Sequence, residues 1–261
     1  MKKREYKIIL TILILIFFTI NYNNLDSFVT KNFDNQETIV VERVIDGDTL
    51  VDSEGIHYRL LGINTPEKGE PLYLDAKKFL EEKTINQTII VEKTKKDRYD
   101  RELAYFYLGK ANINEEIVNK GYANYYFPEG KDRYYSTFLD AWLNCIDSNI
   151  NLCEKSEDKC SSCIQLTKWD FENQEISFYN KCSFDCNLNG WTLKDEGRKK
   201  FVFENYILKG LNYVNVIVEN KTNSANNLYW KNEEYVWTSS GDSFFLRDGE
   251  GKLVLWGTEN Y

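Results

Sequence analysis

The chain has 261 residues, of which 42% are hydrophobic and 28% charged, and its net charge is −8. This composition supports a packed core in one large or two small domains and argues against global disorder. The acidic balance excludes a protein that wraps nucleic acid through overall basicity, and a single histidine, His57, argues against a Ser-His-Asp triad or a histidine-based nuclease.

The N-terminal segment combines a basic start with a short apolar run. Residues 8–20 are apolar except for two threonines, and as a helix they span about 20 Å against roughly 30 Å of hydrocarbon core. The length favours a secretory signal, but no small-residue cleavage site follows, so 1–22 is predicted to be a signal peptide or a membrane anchor. Either alternative predicts a protein that is extracellular or anchored to the outer face of the cell membrane. The polar, aperiodic residues 23–37 predict a flexible stalk.

Residues 38–152 have mixed patterning. Strand-like runs surround the turn sequences DGDT and SEG, a helix is predicted after the NTPE loop, and two more strands enclose a charged loop. Two further helices follow, the second with Phe138, Trp142 and Ile146 on one face. This order predicts a small β-barrel braced by helices.

The remaining chain differs in texture. Residues 153–162 are polar and rich in cysteine, which predicts a linker. Residues 163–261 contain short alternating segments at roughly 8–12-residue spacing, which is typical of a β-sandwich.

Three clusters in the first domain carry groups suited to chemistry. Asp46-Gly-Asp48-Thr is a common hairpin turn, yet its second carboxylate can present oxygen to a hard cation such as Ca²⁺. In the second cluster, Arg59 lies within an apolar strand and needs an anion or a carboxylate partner, either in a structural ion pair or in a site. Glu67 follows in the loop beyond the neutral oxygens of Asn64 and Thr65.

The third cluster is DRYDRE, residues 97–102. Alone it reads as a solvated charged turn, but Arg101 enters the next strand beside Tyr99, an aromatic that can stack on a nucleotide. Two arginines, a cation site and a glutamate suit phosphodiester hydrolysis, because guanidinium groups match the charge that builds on the phosphate oxygens. The glutamate can orient or deprotonate the attacking water.

The motifs IDGDT, RLLGINTPE, DRYDRELAY and EEIVNKGYA, in this order and spacing, resemble the staphylococcal nuclease (thermonuclease) family over about 115 residues. The resemblance implies an OB-fold barrel with helices and a Ca²⁺-dependent endonuclease that acts on DNA and RNA and leaves 3′-phosphates. It implies catalytic roles for Arg59, Glu67 and Arg101. It also implies that Asp48, Asn64 and the Thr65 carbonyl surround the metal.

Asn64 departs from the pattern, because the best-known member of the family has an aspartate at this position. An amide oxygen can still coordinate Ca²⁺ but lacks a negative charge, so we expect weaker Ca²⁺ binding. Tyr99 and either Tyr125 or Tyr126 are candidate nucleotide contacts, although these tyrosines could equally belong to the core or the rim.

Substrate attraction must be local in this domain. Residues 38–150 carry 15 Lys and Arg against 20 Asp and Glu, a net charge of −5. The cationic side chains that fall within nine residues of each other are Lys93, Lys95, Lys96, Arg98 and Arg101. Among them, Lys95 and Lys96 are predicted to contact substrate, and affinity is expected to fall with salt.

The second domain resembles the lamin-tail family over about 95 residues, through Gly190-Trp191, the turn at Asp195, a late Trp-rich strand and the GDSFFLRDGEGKLV hairpin. The resemblance implies an immunoglobulin-like β-sandwich. No catalytic constellation is visible in it, so a binding or anchoring role with an unknown ligand is expected. Trp230, Trp237 and Trp256 are predicted to be core residues.

The six cysteines allow two interpretations. Cys160, Cys163, Cys182 and Cys186 can be read as four zinc ligands or as disulfide partners, and a location outside the cytoplasm favours disulfides. A pair between Cys145 and Cys153, with the other four joining linker to sandwich, is one of 15 possible full pairings.

The sequence thus predicts a secreted or membrane-tethered (through residues 8–20), Ca²⁺-dependent nuclease of DNA and RNA, expected to be monomeric, with a β-sandwich domain. The alternative is a non-catalytic OB-fold module that binds nucleic acid on a cell-surface protein. A glutamate beside a phosphate site argues against that alternative, since a binder has no use for it. A third reading, a structural surface protein, leaves the charged clusters of the barrel unexplained.

Overall fold

The structure is a computed structural model that describes residue 11 and residues 36–128, 130–238 and 241–259. The predicted signal or anchor at 1–22, apart from residue 11, and most of the predicted stalk lie outside these residues. No helix within the described ranges is long and apolar enough to cross a membrane.

The first domain combines short strands with three helices. Its strands are β1 (Gln36–Asp46), β2 (Thr49–Asp52), β3 (His57–Leu60), β4 (Gly62–Asn64), β5 (Thr88–Lys96), β6 (Glu102–Leu108), β7 (Ala111–Asn112) and β8 (Asn124–Tyr126). Its helices are α1 (Tyr73–Thr84), α2 (Ile113–Asn119) and α3 (Tyr135–Ser148). Strand β1 begins two residues before the predicted start of regular structure.

Five of these strands close into a barrel. The sheet runs β3-β2-β1-β5-β6, and β3 also pairs with β6 in parallel, which joins the two edges. Closure leaves these five strands without a free edge. Strand β4 pairs separately with β8 beside the barrel. The predicted helix-braced OB-fold barrel is confirmed.

Helix α3 forms because its apolar residues recur at helical spacing. Phe138, Ala141, Trp142 and Cys145 are all buried on one face, which packs against the barrel. The helix ends at Asn149, which has a left-handed conformation with φ of 53°. This face also reaches the second domain.

The second domain is almost entirely strand. Its strands are β9 (Ile164–Asp170), β10 (Glu175–Asn180), β11 (Cys186–Asn187), β12 (Thr192–Asp195), β13 (Lys200–Val202), β14 (Ile207–Leu208), β15 (Tyr213–Val218), β16 (Asn227–Trp230), β17 (Asp242–Arg247) and β18 (Leu253–Glu259). Two short 3₁₀ turns, Asn151–Cys153 and Ser161–Cys163, lead into it.

Two four-stranded sheets, β16-β15-β10-β9 and β13-β12-β17-β18, form the predicted sandwich. Their core contains the tryptophans Trp191, Trp230 and Trp237, each at most 4% exposed. Trp256, also predicted to be in the core, instead packs against the core of the first domain.

All six cysteines are paired as disulfides. The pairs are Cys145–Cys153, Cys160–Cys186 and Cys163–Cys182. The first joins the end of α3 to the following turn, and the other two join the linker region to the sandwich. The disulfide interpretation is therefore confirmed over the zinc alternative.

The two domains share a continuous hydrophobic contact. Phe245 and Leu253 of the sandwich belong to the buried core of the barrel domain, and the Trp142 and Phe245 rings lie 5.1 Å apart. The Tyr125 hydroxyl lies 2.7 Å from the Ser243 Oγ across the same boundary. This packing brings the β12–β13 turn of the sandwich to the end of the barrel that carries the charged clusters.

Candidate active site at the domain boundary

The turn between β1 and β2 places Asp48 inside the barrel end. A Cβ on Gly47 would lie 2.8 Å from the Ala76 Cβ and 2.9 Å from the Thr65 side chain. Only glycine therefore allows α1 and the β4–α1 loop to approach the turn this closely. The Asp48 side chain is thereby aimed at the neighbouring strand β3 rather than at solvent.

Arg59 on β3 meets Asp48 in a buried ion pair. Its Nη2 lies 3.1 Å from the Asp48 Oδ2, and the two residues are 7% and 4% exposed. The guanidinium also donates to the carbonyls of Leu60, at 2.6 Å, and Ile63, at 2.9 Å. Arg59 thus has the structural ion pair that one interpretation of the sequence expected. These three contacts fix the orientation of its guanidinium group.

Two threonines complete the surroundings of the carboxylate. The Thr65 Oγ1 donates to Asp48 Oδ2 at 2.9 Å, and the Thr49 Oγ1 donates to Asp48 Oδ1 at 3.0 Å. Burial by itself would raise the pKa of Asp48, but Arg59 and the donated hydrogen bonds outweigh it and lower that pKa. Asp48 is therefore ionised at neutral pH. The neighbouring Asp46 behaves differently, because burial, and then the charge of Asp48, raise its pKa to about 6.

Asn64 is 1% exposed and connects the barrel to the sandwich. Its Nδ2 donates to the Gly197 carbonyl at 2.6 Å, while its Oδ1 is buried and has no hydrogen-bond partner in the part of the chain that the structure describes. A buried amide oxygen without a donor is costly, and a cation would satisfy it. Together with the Asp48 carboxylate and the adjacent Thr65, it offers the hard oxygen atoms that Ca²⁺ prefers.

This ligand set is poor in charge. The described residues contain no group of three or more His, Cys, Asp or Glu side chains arranged to hold a metal. The asparagine at position 64 accounts for one missing carboxylate. The residues therefore fit Ca²⁺ by ligand type but provide little negative charge to hold it.

Glu67 lies on the loop between β4 and α1, with its side chain about half exposed. Its Oε1 is 2.8 Å from the Arg198 Nε of the sandwich, and its backbone N–H donates to Glu70 Oε2 at 3.0 Å. Glu70 in turn is 2.6 Å from the Lys200 Nζ. Two cations of the second domain thus hold the loop that carries this carboxylate.

Arg101 immediately precedes β6. Strands β3 and β6 pair in parallel with Arg59 opposite Leu103. Arg101 is two residues before Leu103 in the chain, and the alternation of a strand places it on the same face as Arg59. Its Nη2 is paired with Asp97 Oδ2 at 2.7 Å. The predicted arginines therefore lie on β3 and immediately before the adjoining β6, but each is held by its own aspartate.

The predicted substrate contacts occupy different environments. Tyr99 is 64% exposed, and its ring centroid lies 5.5 Å from the Arg101 guanidinium carbon. Lys95 and Lys96 are exposed at the end of β5, where the Lys96 Nζ is 2.9 Å from Asp100 Oδ1. All three residues belong to the β5–β6 hairpin that carries Arg101, where Lys95 is opposite Leu103 and Lys96 is opposite Glu102.

The prediction that Tyr125 contacts substrate is wrong. The residue is completely buried, its hydroxyl is bonded to Ser243, and its ring packs against Trp142 and Phe245. On β8 the side chains alternate, and the sandwich covers the Tyr125 side. Tyr126, the other candidate, keeps partial exposure.

Sequence reasoning missed the contribution of the sandwich to this site. The Asn124 Nδ2 donates to the Glu196 carbonyl at 2.8 Å, next to the contacts of Gly197 with Asn64 and of Arg198 with Glu67. The basic run GRKK was visible, but a turn between two strands gives no signal of which distant residues it touches.

Comparison with known families agrees with this architecture. Residues 57–145 match the model of the staphylococcal nuclease homologue family, and residues 161–259 match the model of the lamin tail domain. The order is the one that the motifs predicted.

Several curated proteins resemble the first part of the chain. It is 37% identical over 110 residues to a thermonuclease of Staphylococcus hyicus, a match that covers 37% of this chain and 65% of that protein. It is 31% identical over 130 residues to a thermonuclease of Staphylococcus intermedius, which covers 46% of this chain and 77% of the relative.

An uncharacterized endonuclease of Haemophilus influenzae is 34% identical over 150 residues, covering 56% of this chain and 78% of the relative. The matched stretch thus spans slightly under two thirds of the first of these relatives and more than three quarters of the other two. The barrel, the ordered motifs and these matches together show that the chain belongs to the staphylococcal nuclease family and carries a lamin tail domain after its nuclease domain.

Proposed function

We propose that this protein is a Ca²⁺-dependent endonuclease that hydrolyses phosphodiester bonds of DNA and RNA and leaves 3′-phosphates. The observation that carries the proposal is the buried Asp48–Arg59 pair together with its link to the β4–α1 loop. Arg59 also donates to the carbonyl of Ile63, the residue before Asn64, and the Asn64 Oδ1 has no hydrogen-bond partner among the described residues. Glu67 follows Asn64 by three residues in the same loop. A binding surface would not need this combination of buried cation, hard oxygen ligands and nearby base.

Arg59 and Arg101 are proposed to contact the scissile phosphate. Hydrolysis adds negative charge to the phosphate oxygens in the transition state, and guanidinium groups can form paired hydrogen bonds to those oxygens. Asp48 and two backbone carbonyls fix the Arg59 guanidinium in advance, so little conformational freedom is lost when substrate binds.

Glu67 is proposed to take a proton from the attacking water. The water oxygen bonds to phosphorus as the bond from phosphorus to the 5′ oxygen breaks, and the 5′ oxygen takes a proton from solvent. The products are a 3′-phosphate and a 5′-hydroxyl. Because the Glu67 side chain is about half exposed, water reaches it directly.

Asp48, Asn64 and Thr65 are proposed to hold the Ca²⁺ ion. When bound, this ion would supply Lewis acidity and neutralise charge on the phosphate. The Asn64 Oδ1, which has no hydrogen-bond partner among the described residues, supports this assignment. Arg59 lowers the pKa of Asp48, so its carboxylate is ionised and can contact a cation.

Substrate is proposed to approach along the loop between β5 and β6. Lys95, Lys96 and Arg98 are exposed there, and Tyr99 offers an aromatic face beside Arg101. We also propose that the protein works outside the cytoplasm, secreted or tethered, because three disulfides persist only in an oxidising compartment.

The test is cleavage of plasmid DNA and of a structureless RNA by the full chain, with Ca²⁺ and with a chelator. We expect cleavage only with Ca²⁺, and product ends that a polymerase extends only after removal of the 3′-phosphate. Glu67→Gln should abolish most of the activity. Glu82→Gln is the matched control, since it changes an exposed glutamate of α1 that also has a surface ion pair.

The outcomes separate the two functional classes. An intact substrate with every divalent ion tried, combined with retained binding of DNA, would establish the non-catalytic binding module instead. Equal activity of wild type and Glu67→Gln would remove Glu67 from the mechanism.

A further inference from the structure

A cavity lies between the two domains, directly beside the proposed active site. It has a volume of about 280 Å³, near the lower end of the range for ligand pockets. Pro66, Glu70 and Pro71 line it from the nuclease domain, and Lys194, Lys200 and Arg247 line it from the lamin tail domain. Because Pro66 precedes Glu67, the cavity and the active site share one loop.

The three cations lie on one face of one sheet. Lys194 on β12 is directly opposite Lys200 on β13. Arg247 on β17 is opposite Thr192, two residues from Lys194 and therefore on the same face. Like charges on neighbouring strands destabilise a sheet unless something neutralises them. A row of three cations across three strands thus needs a counter-charge.

The protein supplies only part of that counter-charge. Glu70 pairs with Lys200, but its other oxygen accepts the Glu67 N–H. Arg247 donates to two backbone carbonyls and has no carboxylate partner, while Lys194 has neither a hydrogen bond nor an ion pair within the described ranges. Burial lowers the pKa of Lys194, and burial lowers that of Arg247 to about 10.

Two other carboxylates on the wall do not fill the role. Asp248 accepts the backbone N–H groups of Glu250 and Lys252, both at 2.9 Å, and bonds the Ser156 hydroxyl, so its own turn satisfies it. Glu250 is exposed at the rim. Glu70 and Asp195 near Lys194, and Asp248 and Glu70 near Arg247, offset these two cations only in part. Neither cation has a direct ion pair with a carboxylate among the described residues.

We propose that this cavity is a phosphate-binding site in which Lys194, Lys200 and Arg247 hold a phosphate of the nucleic acid strand next to the scissile one. Guanidinium and ammonium groups bind phosphate oxygens strongly, and the apolar walls at Pro66, Pro71 and Phe245 suit a sugar or base. The identity of the ligand as a strand rests on the proposed nuclease function, whereas the binding of phosphate does not.

The test measures phosphate binding without cleavage. Thermal unfolding of the full chain with chelator is compared in sodium phosphate and in sodium chloride of equal ionic strength, for wild type and Lys194→Met. Phosphate should raise the unfolding temperature of wild type, and this rise should disappear in Lys194→Met. Without phosphate, Lys194→Met should be as stable as wild type or more so, because it removes a partly buried cation that has no ion-pair partner among the described residues.

Lys199→Met is the matched control. Lys199 lies in the turn that follows β12 and carries the same charge as Lys194, but it pairs with Glu233 and does not line the cavity. This variant should keep the full effect of phosphate. Equal responses of both variants, or no specific effect of phosphate on wild type, would overturn the proposal.

A second arm identifies the source of the phosphate. Fluorescence anisotropy of a labelled single-stranded oligonucleotide, again with chelator, should show affinity about tenfold or more weaker for Lys194→Met than for Lys199→Met. A loss confined to inorganic phosphate would identify a free-phosphate site and overturn the strand contact. A clear phosphate effect in a protein that cleaves nothing would refute the proposed function and leave the cavity assignment standing.

Discussion

The Arg198 Nε of the lamin tail domain lies 2.8 Å from the Glu67 Oε1 of the nuclease domain. The carboxylate proposed as general base is therefore paired with a cation from the other half of the chain. Both side chains are about half exposed, so the pair is screened and weak. Substrate or water can compete with it.

Arg198→Ala is expected to increase activity modestly. An exposed ion pair is worth at most about 1 kcal/mol, so its removal can increase the population of unpaired Glu67 by no more than about fivefold. The free energy of unfolding should fall by no more than about 1 kcal/mol. The measurement is kcat/KM on DNA. Lys209→Ala, which removes an exposed ion pair with Asp185, should have no effect on cleavage. A fall in activity of Arg198→Ala would show that Arg198 assists the reaction.

Arg101→Ala is expected to lower kcat by about 10²–10³-fold, because it removes a donor aimed at the charge that develops on phosphate. The fold should persist, since the hydrogen bonds of the Arg101 side chain within the described residues go to Asp97 in its own loop. Arg98→Ala is the comparison, because Arg98 is exposed and its guanidinium stacks over Tyr99 at 4.8 Å. That variant should affect KM rather than kcat. Equal losses of kcat/KM in the two variants would argue that the loop contributes only electrostatic attraction of the substrate.

Asn64→Asp is expected to have two opposite effects. An added negative ligand should shift the calcium titration of activity to lower concentration, by about tenfold. The same change removes the donor to the Gly197 carbonyl, which should destabilise the protein by about 1–3 kcal/mol. Calcium titration and urea unfolding measure the two effects separately. A titration curve that does not move would refute the prediction that Asn64 weakens Ca²⁺ binding.

Stability is expected to fall as pH rises from about 5 to 8. Burial raises the pKa of Asp195 to about 7, that of Glu196 to about 8 and that of Asp242 to about 6. Their unfolded pKa values lie near 4, so across this window the folded state binds more protons than the unfolded state. The folded state therefore loses stability as these groups ionise. Denaturant unfolding at pH 5 and pH 8 measures the slope.

Glu196→Gln should flatten this dependence, because the amide cannot ionise. Its single oxygen can still accept the Phe127 N–H, and its NH2 group can donate to the Ser243 hydroxyl in place of the bond that the second carboxylate oxygen accepts. Glu172→Gln, which changes an exposed glutamate of the β9–β10 turn, should keep the wild-type slope. A wild-type protein that is more stable at pH 8 than at pH 5 would contradict the prediction.

Much of the barrel site follows from local rules. Asp48, in the turn before β2, and Arg59, on β3, are eleven residues apart, and a short turn makes β2 and β3 neighbours, so their contact could be predicted from the pattern. The Tyr125 prediction failed because side-chain direction on a three-residue strand depends on what covers it, and Ser243 lies far away in sequence. The same reason hid Gly197 and Arg198, since long-range docking of two domains is decided by surface complementarity, which no local pattern reports.

The shared core around Trp142 and Phe245 has a consequence for how the molecule comes apart. Truncating the chain at residue 152 would expose the aromatic side chains of this shared core to water and remove Cys153, the disulfide partner of Cys145. Heating should therefore melt both halves in one calorimetric peak, and two well-separated peaks would speak against it. Proteolytic removal of the lamin tail domain should leave a nuclease domain that aggregates. The protein should therefore be purified and assayed as the full-length chain.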